Sequence, residues 1–220
     1  MFILIPWAYS QEIKQISYNK FLATSIKKFN TSSSGNLIIK DFNGNIEILG
    51  NAKNKILVKR KTFINVFSKE KAKSIVEHSM NIKDSEEENG TKTIFVESII
   101  DTINQLNDNL EINLPNTFSI AIRSNTGNLS ILSIQGEINI SNGYGNIDLK
   151  NLSGKFSILS SDGNVTGSHI SGNVSITSEN GSIQLEYLQG TLNAKTSAGD
   201  IKAENIKGNI TAKTYNGAID

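Results

Sequence analysis

One feature of the sequence constrains the fold more than any other: from Gly127 to Gly217, every ninth residue is a glycine. The lattice consists of Gly127, Gly136, Gly145, Gly154, Gly163, Gly172, Gly181, Gly190, Gly199, Gly208 and Gly217. It contains eleven of the 17 glycines of the chain, so these residues mark a repeated backbone geometry and not scattered flexibility. We interpret all eleven as structural turn glycines, because tight turns often need a positive φ that a Cβ disfavours.

The residues between the glycines predict one short strand per nine-residue unit. The second residue after each glycine is always apolar, as in Leu129, Ile138 and Ile147. The fourth residue is apolar in most units, although Gly167 interrupts that column. Because side chains two apart on an extended chain point the same way, each unit should bury this pair and expose the residues between them.

Alternate units differ, so the true repeat is a pair of nine-residue units. Two positions before every second glycine stands an apolar residue: Ile134, Leu152, Ile170, Leu188 and Ile206. Three positions before the other glycines stands a polar residue: Asn142, Ser160, Ser178, Thr196 and Thr214. An 18-residue coil of two half-coils, with one apolar and one hydroxyl-lined corner, predicts an all-β fold. The expected architecture is a parallel β-solenoid (β-helix), in which each strand pairs with its equivalent one coil away.

The first half of the chain carries only a fragment of this repeat. Gly35 and Gly44 are nine residues apart, but the phase is lost before Gly127. The segment 56–67 has the composition of a strand, and its three consecutive cations are expected to face solvent. Those cations are Lys59, Arg60 and Lys61.

One short helix is predicted near residues 68–81. Ser68 is placed to cap its N-terminus, and one apolar stripe follows at helical spacing. The stripe consists of Ala72, Ile75, Val76 and Met80. The acidic run 84–90 is interpreted as a solvated loop, with weak attraction of a cation as the alternative.

The first ten residues, MFILIPWAYS, resemble the end of an export signal. They form a short apolar run in which Ala8 and Ser10 occupy the places of the small residues at a signal-peptidase site. The alternative is a frayed hydrophobic N-terminus. Since no apolar run approaches the roughly 20 residues that cross a bilayer, no transmembrane segment is predicted. We therefore expect an exported protein, periplasmic or at the cell surface.

We divide the chain into four parts on these grounds. They are residues 1–10 as a signal-peptide remnant, 11–33 as a linker or cap, 34–123 as an N-terminal β part with the helix, and 124–220 as the solenoid repeats. Residues 34–220 are expected to form one domain.

Composition excludes several kinds of site. The net charge of +1 gives no general attraction for nucleic acid. The absence of cysteine excludes disulfides, thiolate metal sites and a cysteine nucleophile. A calcium-binding nonapeptide repeat needs an aspartate two residues after the glycine, where this chain has apolar residues throughout.

No catalytic, cofactor-binding or metal-binding residue is predicted. The two histidines, His78 and His169, have no partner at ligand spacing and are interpreted as surface residues. The acidic residues of the repeats are assigned to different columns, so a catalytic pair of carboxylates is not expected. These residues are Asp148, Asp162, Glu179, Glu186, Asp200 and Glu204.

Several segments together resemble the bacterial putative adhesin family, domain of unknown function 4097. They are GNIEILG followed by KILVKRK, then INLPNTFSIAIRSNTGNLSI, and the serial units of TSAGDIKAENIKGNITAKTYNGAI. The resemblance covers about residues 34–220. It implies a single-stranded, right-handed β-helix that is exported or faces the envelope, in a family without established catalytic residues.

Two functional hypotheses follow. The first is a non-catalytic exported scaffold, adhesin-like or envelope-associated, that binds an envelope polymer, a glycan or a protein. Self-association through the open C-terminal coil, just past Gly217, belongs to the same hypothesis. The alternative is a glycan-cleaving β-helix enzyme.

Overall fold

A computed structural model describes residues 9–31, 34–88, 90–99 and 107–220, with the backbone alone at Tyr9 and Asn107. Most of the predicted export signal, residues 1–8, lies outside the described residues. The strands are β1 (Tyr9–Ser17), β2 (Lys20–Asn30), β3 (Gly35–Asn51), β4 (Lys55–Asn65), β5 (Met80–Glu86), β6 (Lys92–Ser98), β7 (Asn107–Pro115), β8 (Ser119–Thr126), β9 (Leu129–Leu132), β10 (Ile138–Tyr144), β11 (Ile147–Asp162), β12 (Val165–Asn180), β13 (Ile183–Ala198) and β14 (Ile201–Asn216). A helix, α1 (Lys69–His78), lies between β4 and β5.

From β8 onward the strands stack in parallel, one coil on the next. Ile138 of β10 pairs with Phe156 of β11, and Phe156 pairs with Val174 of β12. The offset is therefore two nine-residue units, and it is maintained through β13 and β14. The predicted all-β fold, a parallel β-solenoid with 18-residue coils and one short helix, is confirmed.

Each coil passes through two sheets that enclose the core between them. We call face A the sheet whose inward column is Leu37, Ile120, Ile138, Phe156, Val174, Leu192 and Ile210. Face B has the inward column Ile46, Leu129, Ile147, Val165, Ile183 and Ile201. Both columns belong to one continuous apolar cluster, although Ile210 in the last coil is half exposed.

The isolated fragment with Gly35 and Gly44 is a full coil of the solenoid. The two halves of β3 pair with β8 and β9 on one side and with β6 and β7 on the other. The coil made by β3 is thus inserted between two coils that come later in the chain. The phase of the repeat is lost because residues 52–118 build strands on the outer side of β3 before the chain returns.

Three antiparallel strands extend face B beyond the parallel coils. β4 pairs with β7, β2 with β4, and β1 with β2. We call β1, β2, β4 and α1 the N-terminal cap. In the cap, α1 packs against the strands through a second apolar cluster of Phe21, Ala23, Ile64, Val66, Ala72 and Val76.

Most of the segment 11–33, which the sequence analysis interprets as a linker or cap, belongs to a strand hairpin of β1 and β2. In β2 the inward side chains include the apolar residues Phe21, Ala23 and Phe29. Ser25 and Lys27 take the inward positions between them. The alternation of apolar and polar residues in β2 is not visible in the sequence, because polar residues occupy two of the five inward positions.

The helix begins where the sequence predicts and ends earlier. The Oγ atom of Ser68 accepts a hydrogen bond from the backbone N of Lys71 at 3.2 Å, which caps the N-terminus. Ser79 follows the last helical residue as the C-cap, and Met80 already pairs with Ser98 in the β5–β6 ladder. The predicted apolar stripe is therefore split between the helix and a strand.

The lattice glycines lie where one coil touches the next. Gly145 has a φ of 122°, and a Cβ there would collide with the carbonyl oxygen of Gly127. At Gly154, φ is 140° and a Cβ would lie 2.5 Å from the carbonyl oxygen of Gly136. Both the backbone conformation and the close approach of the previous coil therefore require glycine.

The gap at Gly167 is filled from the next coil. The register runs without a shift from Leu149 through Gly167 to Leu185. A Cβ at Gly167 would lie 2.5 Å from Cδ2 of Leu185. The large leucine therefore occupies the space that the glycine leaves.

A pair of neighbouring substitutions tests which side chains face inward. Ile147 is 0% exposed, so Ile147→Asp places a carboxylate in the core and should lower the free energy of unfolding by at least about 4 kcal/mol. Asn146 is exposed and its Oδ1 accepts a hydrogen bond, a role that aspartate keeps, so Asn146→Asp should stay within about 0.5 kcal/mol. Urea denaturation measures both, and equal midpoints would contradict the assigned facing.

Candidate functional site

Side-chain oxygens form a ladder along the first corner, which we define as the turns at Gly127, Gly145, Gly163, Gly181, Gly199 and Gly217. Oδ1 of Asn128 accepts a hydrogen bond from the backbone N of Asn146 at 2.9 Å, and Oδ1 of Asn146 accepts one from Asn164 at 2.9 Å. Asn164, Ser182 and Asp200 continue the ladder. These oxygens hold the coils together, so this corner is mainly structural.

The polar column predicted to line one corner points into the protein. Ser160 and Ser178 are 4% and 1% exposed, and Asn142 and Thr196 are equally buried. The Oγ1 atom of Thr196 donates a hydrogen bond to the carbonyl oxygen of Gly181 at 3.0 Å. The column is therefore inaccessible to a ligand up to Thr196, whereas Thr214 in the next coil is half-buried.

The second corner carries the most unusual backbone of the solenoid. We define it by Ser133, Asn151, His169, Tyr187 and Asn205, which all have φ between 54° and 60°. Asparagine tolerates this left-handed conformation because its side chain bonds locally, whereas bulky residues adopt it rarely, at a cost of about 1–2 kcal/mol. Two adjacent coils nevertheless place aromatic residues there.

His169 and Tyr187 form a stacked pair on this corner. Their ring centroids are 4.9 Å apart with an interplanar angle of 29°. Such a contact contributes about 0.5–1.5 kcal/mol, which partly offsets the backbone cost. Tyr187 stays 48% exposed and His169 is exposed too, so the pair presents aromatic surface to solvent.

A pair of carboxylates lies beside these rings on face B. Glu186 and Glu204 are register partners in adjacent coils, so assigning them to different columns was wrong. Glu186 and Glu204 are 18 positions apart in the sequence, which is one full coil, and residues one coil apart share a column in this fold. Nζ of Lys202 lies 2.9 Å from Oε1 of Glu204, and this hydrogen bond raises the pKa of Lys202.

A buried ion pair closes the core at the N-terminal end. The Nε and Nη2 atoms of Arg60 donate to the two carboxylate oxygens of Asp108 at 3.0 and 2.7 Å. Nη2 also donates to Oγ of Ser79 at 2.9 Å, and Thr62 donates to Asp108. Arg60 is 2% exposed and Asp108 is 3% exposed.

The prediction that Arg60 faces solvent is therefore wrong. Strand alternation was the available signal, since Arg60 shares its parity with the buried Val58 and Ile64. Lys59 and Lys61 have the opposite parity and reach Glu111 on the outer side of face B.

A cavity of about 690 Å³ lies between the cap and β5. It exists because β2 and β4 extend face B past the end of face A, so part of the interior is open. Its wall combines apolar Val76, Met80 and Ile82 with charged residues that include Lys27, Arg60 and Asp84. Nζ of Lys27 donates to the carbonyl oxygen of Ile82 at 2.8 Å. Burial lowers the pKa of Lys27, and Asp84 opposes this shift.

The two histidines lie far apart in the fold. His78 is exposed at the end of α1, where its Nδ1 is 2.7 Å from the carbonyl oxygen of Ser74. Within the described residues, no cluster of three or more histidine, aspartate or glutamate side chains has an arrangement suited to a metal ion. Among the helices of the described part, none has the length and apolarity that a membrane crossing requires.

The Arg60–Asp108 pair gives a stability test. Asp108→Ala leaves a buried guanidinium unpaired and should cost about 3–5 kcal/mol in the free energy of unfolding. The double variant Arg60→Met/Asp108→Leu removes both charges and should be near wild type, because paired apolar residues avoid the desolvation penalty. Guanidinium denaturation measures this, and a double variant as unstable as Asp108→Ala would contradict the explanation.

Glu111 gives a pH test. Hydrogen bonds from Lys59 and Lys61 hold the pKa of Glu111 below its ordinary value. A lowered pKa in the folded state stabilises the protein above the unfolded-state pKa of about 4.3, and this contribution disappears as the pH falls through the lowered pKa. Between about pH 5 and about pH 2, wild type should lose about 0.5–1 kcal/mol more stability than Glu111→Gln. Parallel pH profiles from thermal denaturation would exclude this contribution.

A family model described as Toastrack DUF4097 matches residues 36–220. Among solved structures, the chain is similar to a putative cell adhesion protein from Clostridium sporogenes, with 16% identity, a TM-score of 0.43, and coverage of 93% of this chain and 100% of that one. It is also similar to a putative adhesin from Bacteroides fragilis, with 14% identity, a TM-score of 0.40, and coverage of 89% and 95%. No curated protein matches it. The family model confirms the resemblance found in the sequence, and the chain belongs to the Toastrack DUF4097 family.

Proposed function

We propose that this protein is a non-catalytic, exported β-solenoid scaffold that binds a glycan or another envelope polymer along its second corner. The observation that supports this most directly is the exposed His169–Tyr187 pair. At this pair the repeat departs from its own pattern, since Asn151 and Asn205 occupy the same corner in the coils on either side.

The backbone of this pair carries a conformational cost that asparagine largely avoids. Strained residues of this kind concentrate at functional sites, where the side chain's role outweighs the strain. Because both rings are exposed, burial in the core does not explain them. A role in binding a ligand would account for both the exposed rings and the strained backbone.

The chemistry of the corner suits a sugar polymer. An exposed ring offers an apolar face to the C–H side of a sugar, and nearby carboxylates and amides hydrogen-bond to hydroxyl groups. Glu186 lies next to Tyr187 in the chain, and Asn205 occupies the same corner one coil later. Successive coils are about 4.8 Å apart, so an extended polymer along the corner would contact several of them.

Other partners fit the same scaffold. Strand β14 exposes Ile210 and Tyr215, by 48% and 77%, and these side chains offer apolar surface to a protein partner or a second copy. Export is supported by the composition of residues 1–10 and stays a prediction.

The proposal is tested with insoluble cell-wall material and purified wall polysaccharide. The variant His169→Asn/Tyr187→Asn installs the residue that the neighbouring coils already carry, so the fold should be unchanged. We expect its affinity to fall at least tenfold, the loss of about 1.4 kcal/mol of stacking. Tyr144→Asn is the matched control, since Tyr144 is 62% exposed near the first corner. Undiminished binding by the double variant would refute the proposed site.

One observation favours the alternative, a glycan-cleaving enzyme. Adjacent carboxylates are the chemical requirement of most glycosidases, and Glu186 and Glu204 are neighbours on face B. Release of reducing ends from the same polysaccharides, abolished in Glu186→Gln/Glu204→Gln, would support this alternative over a binding scaffold.

A further inference from the structure

The N-terminal cap is strongly basic, although the whole chain is nearly neutral. The four elements of the N-terminal cap contain eleven lysine and arginine residues and three glutamates, a net charge of +8. The remainder of the chain therefore carries −7, although the whole is +1. Residues 119–220, which form the later coils, carry only −1, with seven Lys and Arg against eight Asp and Glu, so the basic residues are concentrated in the cap and most of the compensating negative charge lies in the segments next to it.

Only part of the cap's positive charge is neutralised by ion pairs. Acidic residues of β7 pair with Lys59, Arg60 and Lys61. Several other lysines form no ion pair with a described residue: Lys14, Lys20, Lys28, Lys55, Lys69 and Lys71. Their charges remain available to an anionic surface.

The same cap carries an apolar tip, made by the β1–β2 turn and the junction of β4 with α1. Tyr18 is 83% exposed and Phe67 is 76% exposed, and their rings meet edge to face with centroids 5.9 Å apart. Ile16, two residues before Tyr18 in the chain, is 44% exposed. Nζ of Lys20 lies 5.3 Å from the ring centroid of Phe63.

Cations closely flank this tip. Lys14 and Lys20 lie on the two strands joined by the Tyr18 turn, and Lys69 and Lys71 are in the first turn of α1, just after Phe67. Aromatic side chains and lysines together are typical of segments at membrane interfaces, where rings enter the boundary region and ammonium groups reach the headgroups.

We propose that the N-terminal cap docks on an anionic phospholipid bilayer, with Tyr18 and Phe67 entering the interface and the flanking lysines contacting lipid phosphates. A soluble polyanion would use the lysines and leave the aromatic tip in water, so the combination favours a bilayer. The site is separate from the second corner and does not depend on glycan binding. It provides membrane contact through the cap itself.

Co-sedimentation of the full chain with vesicles tests this proposal. Vesicles of equal parts phosphatidylglycerol and phosphatidylcholine should bind the protein, and pure phosphatidylcholine vesicles should not. Tyr18→Ser/Phe67→Ser should weaken binding at least tenfold, since each ring loses its burial in the interface. Lys14→Gln/Lys71→Gln should weaken binding about 30-fold.

Two control variants in the parallel coils, outside the cap, separate docking from general effects. Tyr215→Ser removes a similarly exposed ring outside the cap, which has a lysine nearby with Nζ of Lys213 5.2 Å from its centroid. Lys155→Gln/Lys207→Gln changes the net charge as much as the cap variant does. Both controls should bind like wild type.

Three outcomes would overturn the proposal. They are equal binding to neutral and anionic vesicles, equal losses in the cap variants and their controls, and full binding by the tip variant. In the last case, retained binding to soluble polyphosphate would assign the cap to a polyanion instead. Thermal denaturation of each variant shows whether the fold is intact, and the two lysine variants preserve a readout if the tip variant unfolds.

Discussion

The close approach of one coil to the next at the glycine turns is the contact on which the rest of the structure depends. A side chain on Gly145 would strike the carbonyl oxygen of Gly127, and the same holds along the stack. With that approach intact, the strands of each coil pair with the equivalent strands of the next, and the apolar columns merge into one core. Stacking stabilises coils that are too small to fold alone, because each coil buries the faces of its neighbours.

The repeated part of the fold was predictable because the same inward apolar columns recur from coil to coil. The columns that contain Ile147 and Phe156 are the clearest examples. The N-terminal half was not predictable to the same degree. Ser25 and Lys27 interrupt the inward pattern of β2, and the spacing of Gly35 and Gly44 in β3 does not reveal that β3 lies between two later coils. Arg60 was missed because a run of three cations indicated solvent, whereas strand alternation placed the middle one inside. Its partner, Asp108, is distant in sequence.

The functional proposals rest on exceptions to the repeat, because two of its regular polar columns are already engaged in the structure. The asparagine ladder at the first corner satisfies the backbone of the next coil, and the hydroxyl column is buried. Two departures from the repeat are left for function. They are the two aromatic residues in a left-handed conformation at the second corner, and the basic N-terminal cap with its aromatic tip. The family assignment establishes the architecture, and these departures carry the functional proposals. Predicting them required three-dimensional information on which residues are neighbours and how far each is exposed.

The position of β3 has a consequence for the order in which the chain acquires its structure. Both edges of β3 are covered by strands that are synthesised much later, as in the pairing of Leu37 with Ile120. In β11–β14, by contrast, every partner lies only one coil away along the chain. Loop closure favours the shorter separations, so nucleation belongs to the C-terminal coils and β3 is incorporated afterwards. An emerging nascent chain would therefore hold β3 unpaired until β6–β9 had left the ribosome.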